Sequence, residues 1–173
     1  MIESGLFLWA TTNPALQALM GQSKREQAEK IWSSFYFSYL PKADLINTPI
    51  PGIVMDVIPG GAGEEEDTLD ARSASPPWTP ISRIFQFGSV AVDQAQNGPP
   101  NPWNPSGYLS AAYLSQTLYR QLMAMATGRA SLPDGTVLQD VRYLGEYDAH
   151  YEVGDVGYLF RHILHVAITY VPG

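Results

Sequence analysis

The run GYLFRHILHVAITY, Gly157 to Tyr170, holds two of the protein's three histidines, set three residues apart. Wound as a helix, it would carry His162 and His165 on one face, as a metal clip requires. Extended, it points them to opposite faces, and no single ion can join them. The segment is short, follows a glycine turn, and contains Phe160, Ile163, Val166, Ile168, Thr169 and Tyr170, residue types that favour strands. It therefore predicts a closing strand, and the metal clip falls with the helix.

The remaining segments are read by the same tests. Ser4 is placed to cap a short helix through Ala10, with Leu6, Trp9 and Ala10 on one face. Asn13 followed by Pro14 reads as a second cap, opening one or two turns that end at Gly21. SKREQAEKIW reads as a solvated helical turn, and FYFSYLP alternates as a strand does. In PIPGIVMDVIP the apolar run is bounded by prolines, which predicts a buried strand with Pro49, Pro51 and Pro59 kept to its ends. SRIFQFGSVAVDQ reads as another strand, bulged or closely approached at Gly88.

From Ser106, taken as a cap, the spacing of Ala111, Leu114, Leu118, Leu122 and Met125 predicts a helix from Gly107 to about Thr127, ended by Gly128. A turn at SLPDGTV leads into a strand from about Thr136, and EVGDVG turns the chain into the closing run. The predicted class is α+β: a largely antiparallel sheet with helices packed on one face.

A length of 173 residues suits one domain, 1–173, with a single core. Two stretches interrupt it: an acidic loop at 60–80 and a proline-rich loop at 95–106. The acidic loop has little to bury and is expected to be flexible or ordered by a neighbour, while the prolines of the second favour extended polyproline geometry. Deleting 62–76 is accordingly expected to leave a folded protein. A net charge of −7 offers no basic stripe for phosphate, which argues against tight nucleic-acid binding or a hold on anionic lipid. With no cysteine there is no disulfide, thiolate zinc site or cysteine nucleophile. The N-terminal MIESGLFLWATTNPAL lacks a basic n-region and carries Glu3, so a protein made without export is expected.

Candidate chemistry is sparse. In YDAHYE an extended chain puts Asp148, His150 and Glu152 on one face, a cluster that would suit a hard metal or acid–base work. The competing reading is a solvent-facing strand end, since no further ligand is identifiable. GGAG at Gly60 to Gly63 lacks the Gly-Lys-Ser/Thr ending of a phosphate loop and runs into Glu64, Glu65 and Glu66, which repel phosphate. No Gly-x-Ser-x-Gly elbow is present. No catalytic, cofactor or metal residue is assigned. Trp78 and Trp103 lie in polar loops, either as lids on the core or as anchors at an interface.

Four stretches together resemble the tail-completion, or tail-terminator, family of long-tailed bacteriophages. NPALQALMG resembles the family's opening helix, and YLPKADLINTPIPGIVMDVI its proline-flanked lead into the first clear strand. VAVDQ, a loop and the helix from Ser106 resemble its strand-then-helix unit. GEYDAHYEVGDVGYLFRHILHVAITY resembles its closing hairpin, with Gly157, Tyr158, Arg161 and Tyr170 where that pattern has them. His165 stands where an acidic residue is commoner, and the two proline-bearing loops look like insertions. The match covers about two-thirds of the chain.

The resemblance implies a non-enzymatic virion part without a cofactor. Subunits would form a ring, commonly of six, at the head-proximal end of the tail tube, stopping its growth and meeting the neck. The implied partners are other copies of the chain, the tail tube protein and a head–tail connector or neck protein. DNA would pass through the lumen without specific binding, and no membrane is involved. Glu64, Glu65, Glu66, Trp78, Trp103, Arg161 and His165 are the candidate interface residues. The alternatives are another head–tail connector such as a stopper, or a small cytosolic metal-dependent enzyme built on Asp148, His150 and Glu152.

Overall fold

A computed structural model describes residues 2–38, 49–58, 80–92, 107–153 and 157–173, with side chains for all of these except 107–109, 150–153 and 157–158. Four helices are present among them: α1 (Ile2–Thr12), α2 (Pro14–Gln17), α3 (Lys24–Glu29) and α4 (Gly107–Gly128). Five strands accompany them: β1 (Phe35–Phe37), β2 (Gly52–Ile58), β3 (Ile81–Val92), β4 (Val137–Val153) and β5 (Gly157–Val171). The strands form one sheet in the order β1-β2-β3-β5-β4. Only β1 and β2 run parallel; the other neighbours are antiparallel. The fold is α+β, as its apolar periodicities predict.

The closing run is a strand, so its two histidines do face opposite ways. Alternation along β5 assigns Leu164, Val166, Ile168 and Tyr170 to one face, and they join the main core. Through the register the same face takes Phe85 and Phe87 of β3, Ile53 and Met55 of β2, and Phe35 of β1. These residues pack in one cluster with Leu6 and Trp9 of α1, Leu16 of α2, and Leu114, Leu118 and Leu122 of α4. The predicted apolar stripe of α4 is therefore its buried side, with Met125 only partly buried and Ala126 fully so. A smaller cluster of Val54, Val90 and Leu159 belongs to the other face.

Several boundaries differ from expectation. Helix α1 starts at Ile2, so Ser4 lies inside it rather than capping it. Its end is marked by Thr11 and Thr12, whose hydroxyls donate to the carbonyls of Phe7 and Leu8 at 2.8 and 2.7 Å. Asn13 does cap α2, accepting from the N–H groups of Ala15 and Leu16, but that helix stops at Gln17. Helix α4 includes Gly128, and the left-handed residue that follows it is Arg129 at φ 48°. Strand β1 is only three residues long because Ser38 turns to φ 61°. Gly88 interrupts no pairing in β3; the side chain of Arg161 lies over it instead. Ser106 and both predicted loops lie outside the described residues.

SKREQAEKIW is less solvated than its charge indicates. Ser23 and Glu26 form a reciprocal capping box at the start of α3, and Glu26 is buried, accepting also from the Ser33 hydroxyl. Burial pushes the Glu26 carboxyl up, but hydrogen bonds from Ser33 and Ser23 outweigh it and hold the group below its ordinary value. Tyr36 of β1 donates to the Pro49 carbonyl at 3.0 Å. Its own burial, aided by the Glu26 charge, pushes its phenol from 10.0 up to about 12.

A raised phenol pKa means that the native state keeps a proton the unfolded chain releases. The stability it contributes is intact below pH 10 and is lost as pH rises from there through about 12. A tyrosinate absorbance titration of the native protein is expected to show a late step that Tyr36→Phe removes. If the variant's curve matched the parent's, Tyr36 would titrate as an ordinary tyrosine.

Candidate functional site

On the core-side face of β5, His162 lies beyond the stripe of aliphatic residues and is almost wholly buried. Its Nδ1 lies 2.6 Å from Asp148 Oδ1 and its Nε2 3.3 Å from Glu146 Oε2, both on β4. The two carboxylates sit at opposite ends of the imidazole, so they hold the ring between them and do not converge on a common ion. Only the protonated ring donates at both ends. Among the described residues, no three histidine, aspartate or glutamate side chains are grouped to hold a metal.

Asp148 is thus engaged by His162, which the one-face reading of Asp148, His150 and Glu152 did not foresee; the side chains of His150 and Glu152 lie outside the described residues. The pairing register also sets Ser89 opposite His162, so serine, histidine and aspartate stand in one row across the sheet. The row does not have the geometry of a nucleophile and its base. Ser89 is fully buried, its Oγ has no hydrogen-bond partner, and both nitrogens of His162 face carboxylates.

The opposite face carries Arg161 and His165, the two predicted interface residues that are described. The Arg161 guanidinium lies on Gly88, where an added Cβ would stand 2.1 Å from Nε. Glycine is needed there for close approach rather than for backbone conformation. Nη2 of Arg161 is 3.7 Å from Asp56 Oδ2, an ion pair longer than a hydrogen bond. Nε and Nη2 are buried without a hydrogen-bond partner. His165 Nε2 donates to Gln86 Oε1 at 2.9 Å, and the Tyr147 ring stands edge-on to the imidazole at 5.7 Å.

Sequence reasoning missed Asp56 and Gln86 because they reach this face only through the pairing of β2, β3 and β5. The alternation within IVMDVI did set Asp56 apart from its apolar neighbours Met55 and Val57. Glu64, Glu65, Glu66, Trp78 and Trp103 lie outside the described residues.

No known protein family and no curated protein matches the chain.

Among the large exposed apolar side chains, Phe37 of β1 and Val57 of β2 lie toward one edge of the sheet, and Tyr143, Leu144 and Tyr147 of β4 at the other; Leu8 lies on α1, Ile31 between α3 and β1, and Tyr113 and Met123 on α4. Phe37 is 45% exposed although its ring packs on those of Phe7 and Phe35. Beside β4, a cleft of about 130 Å³ opens between α4 and the sheet, lined by Ser115, Gln116, Tyr119, Arg120, Tyr143, Glu146 and Leu164. Tyr119 and Tyr143 meet edge to face across it at 6.0 Å. The sequence signal for this cleft is slight: Tyr143 reads as an ordinary strand residue until β4 is known to be an outer strand.

Proposed function

We propose that the chain is a structural subunit of a long-tailed phage virion, a tail terminator whose copies form a ring that closes the tail tube and joins it to the neck. The observation that carries this reading is where the four resembling stretches fall. NPALQALMG contains α2, the proline-flanked stretch runs into β2, VAVDQ closes β3 ahead of α4, and the last stretch spans β4 and β5. These elements contribute to one sheet and its core, which is the setting the resemblance implies for them.

Two physical features agree with the role. Apolar side chains exposed at opposite edges of one sheet supply two different patches, as a ring built by repetition of a head-to-tail contact needs. A net charge of −7 suits a subunit beside a channel that DNA must leave without sticking. Among the described residues no helix is long and apolar enough to cross a membrane.

The test is tube growth. Adding the purified chain to polymerising tail-tube protein should stop elongation and give short tubes closed at one end. Tubes of unchanged length, with the chain absent from their ends, would overturn the reading.

A further inference from the structure

We propose that neighbouring copies meet edge to edge, with Phe37 of one subunit seated in the α4–β4 cleft of the next. This rests on the ring reading above and says which surfaces make the ring. The pairing register places Phe37, Met55, Phe87, Leu164 and Glu146 in one row across the sheet, from the β1 edge to the β4 edge. Leu164 and Glu146 line the cleft, so the exposed ring and the cleft lie at the same level of the strands. They are four strand spacings apart within one chain, about 19 Å, and cannot meet there.

Size and direction agree with this contact. A cavity of about 150 Å³ accommodates a benzene molecule, so a cleft of about 130 Å³ suits one phenyl ring. The cleft wall is apolar where Tyr119, Tyr143 and Leu164 face it, with Arg120 and Glu146 at its rim. The pairings also make β1 and β4 run in opposite directions. A copy laid beside another in the plane of the sheet therefore brings its β1 antiparallel to the first copy's β4.

Charge completes the match and favours a second copy as the occupant. Lys24 and Lys30 stand at the two ends of α3, just before β1, and are exposed. On β4, Glu146 at the cleft and Asp148 two residues on are half-exposed carboxylates, opposite in charge to those lysines. Because the two patches differ, the contact is heterologous. Repeated by rotation, it closes a ring in which every Phe37 and every cleft is used.

The test uses the full chain, which has no cysteine of its own. Phe37→Cys and Gln116→Cys are made as separate proteins and oxidised alone and mixed, with tail-tube protein present. The mixture should yield a disulfide-linked dimer that neither variant gives alone. Independently, Phe37→Ala and Gln116→Trp should each weaken self-association by about tenfold or more, as loss of an interface anchor does. Gln116→Trp fills the cleft without touching the Phe7–Phe35–Phe37 cluster, so its effect is not one of folding. Mixing these two variants should recover dimers and nothing larger, since one intact ring then meets one intact cleft.

Oligomers that persist in both variants, or cross-links within either cysteine variant alone, would overturn this interface and leave the ring reading standing. A parent protein that stays monomeric with tail-tube protein present would overturn both.

Discussion

Phe87→Ala is expected to destabilise the protein by about 3–5 kcal/mol, the cost of emptying an aromatic site at the centre of a core. Phe87 is fully buried on β3, the middle strand of the sheet. In its row it lies between Met55 of β2 and Leu164 of β5, and its ring stacks on that of Phe85 with centroids 6.1 Å apart. The helices close over the same cluster, so the vacated volume can collapse only by moving several packed elements. A loss of this size is a large share of the roughly 5–15 kcal/mol that holds a domain together. It should lower Tm by about 10 °C, given about 2–4 °C per kcal/mol for a chain of this length. Tyr113→Ala, on the exposed side of α4, is the control and should change stability by less than about 0.5 kcal/mol. Urea unfolding of both variants checks the pair; equal midpoints would mean that Phe87 is not a core residue.

The second large effect is expected at Gly21. Its N–H donates to the Pro51 carbonyl at 2.7 Å, tying the end of the α2 segment to the entry of β2. An added Cβ would stand 2.3 Å from the Ile50 carbonyl oxygen and 2.4 Å from its carbon, both backbone atoms that cannot rotate away. Gly21→Ala therefore forces the two segments apart and should cost about 1–3 kcal/mol, the usual scale for overpacking. Gly128→Ala is the comparison, because nothing lies within 4 Å of a Cβ at that position. It should be neutral or slightly stabilising, since alanine is the better helix former. If the two substitutions behaved alike in thermal unfolding, the close approach at Gly21 would be wrong.

Much of this architecture is legible in single segments, and the reason is local. The β-branched and aromatic residues of the closing run fit a pleated strand, and the Leu114-Leu118-Leu122 spacing fits one buried helix face. Asn13 before Pro14 specifies a cap by chemistry alone. The strand order is not local in this sense. That β5 lies between β3 and β4, and that the long β4 is the outer strand, depends on pairings between distant segments. The same distance hides the chemistry of His162. In the sequence it belongs to a two-histidine motif, whereas in the fold it is held between Glu146 and Asp148 of the neighbouring strand. Arg161 and His165 are legible as one face of a strand, but Asp56 and Gln86, their partners, need the register.

The same reasoning explains why Phe37 draws no notice in the sequence. In FYF it looks like half of an alternating pair with Phe35, and both do share a face. One is buried and the other exposed because β1 ends at Ser38 and nothing among the described residues covers the outer ring. An exposed aromatic at one edge and an apolar cleft at the other are what a self-assembling subunit would present.

Negative-stain electron microscopy of the full chain, alone and mixed with tail-tube protein, decides most simply whether the protein is a terminator. Closed rings are expected, free or stacked on one end of each tube, each built from identical subunits in a head-to-tail arrangement. A chain that remains a monomer in both preparations, with bare tube ends, would refute that role.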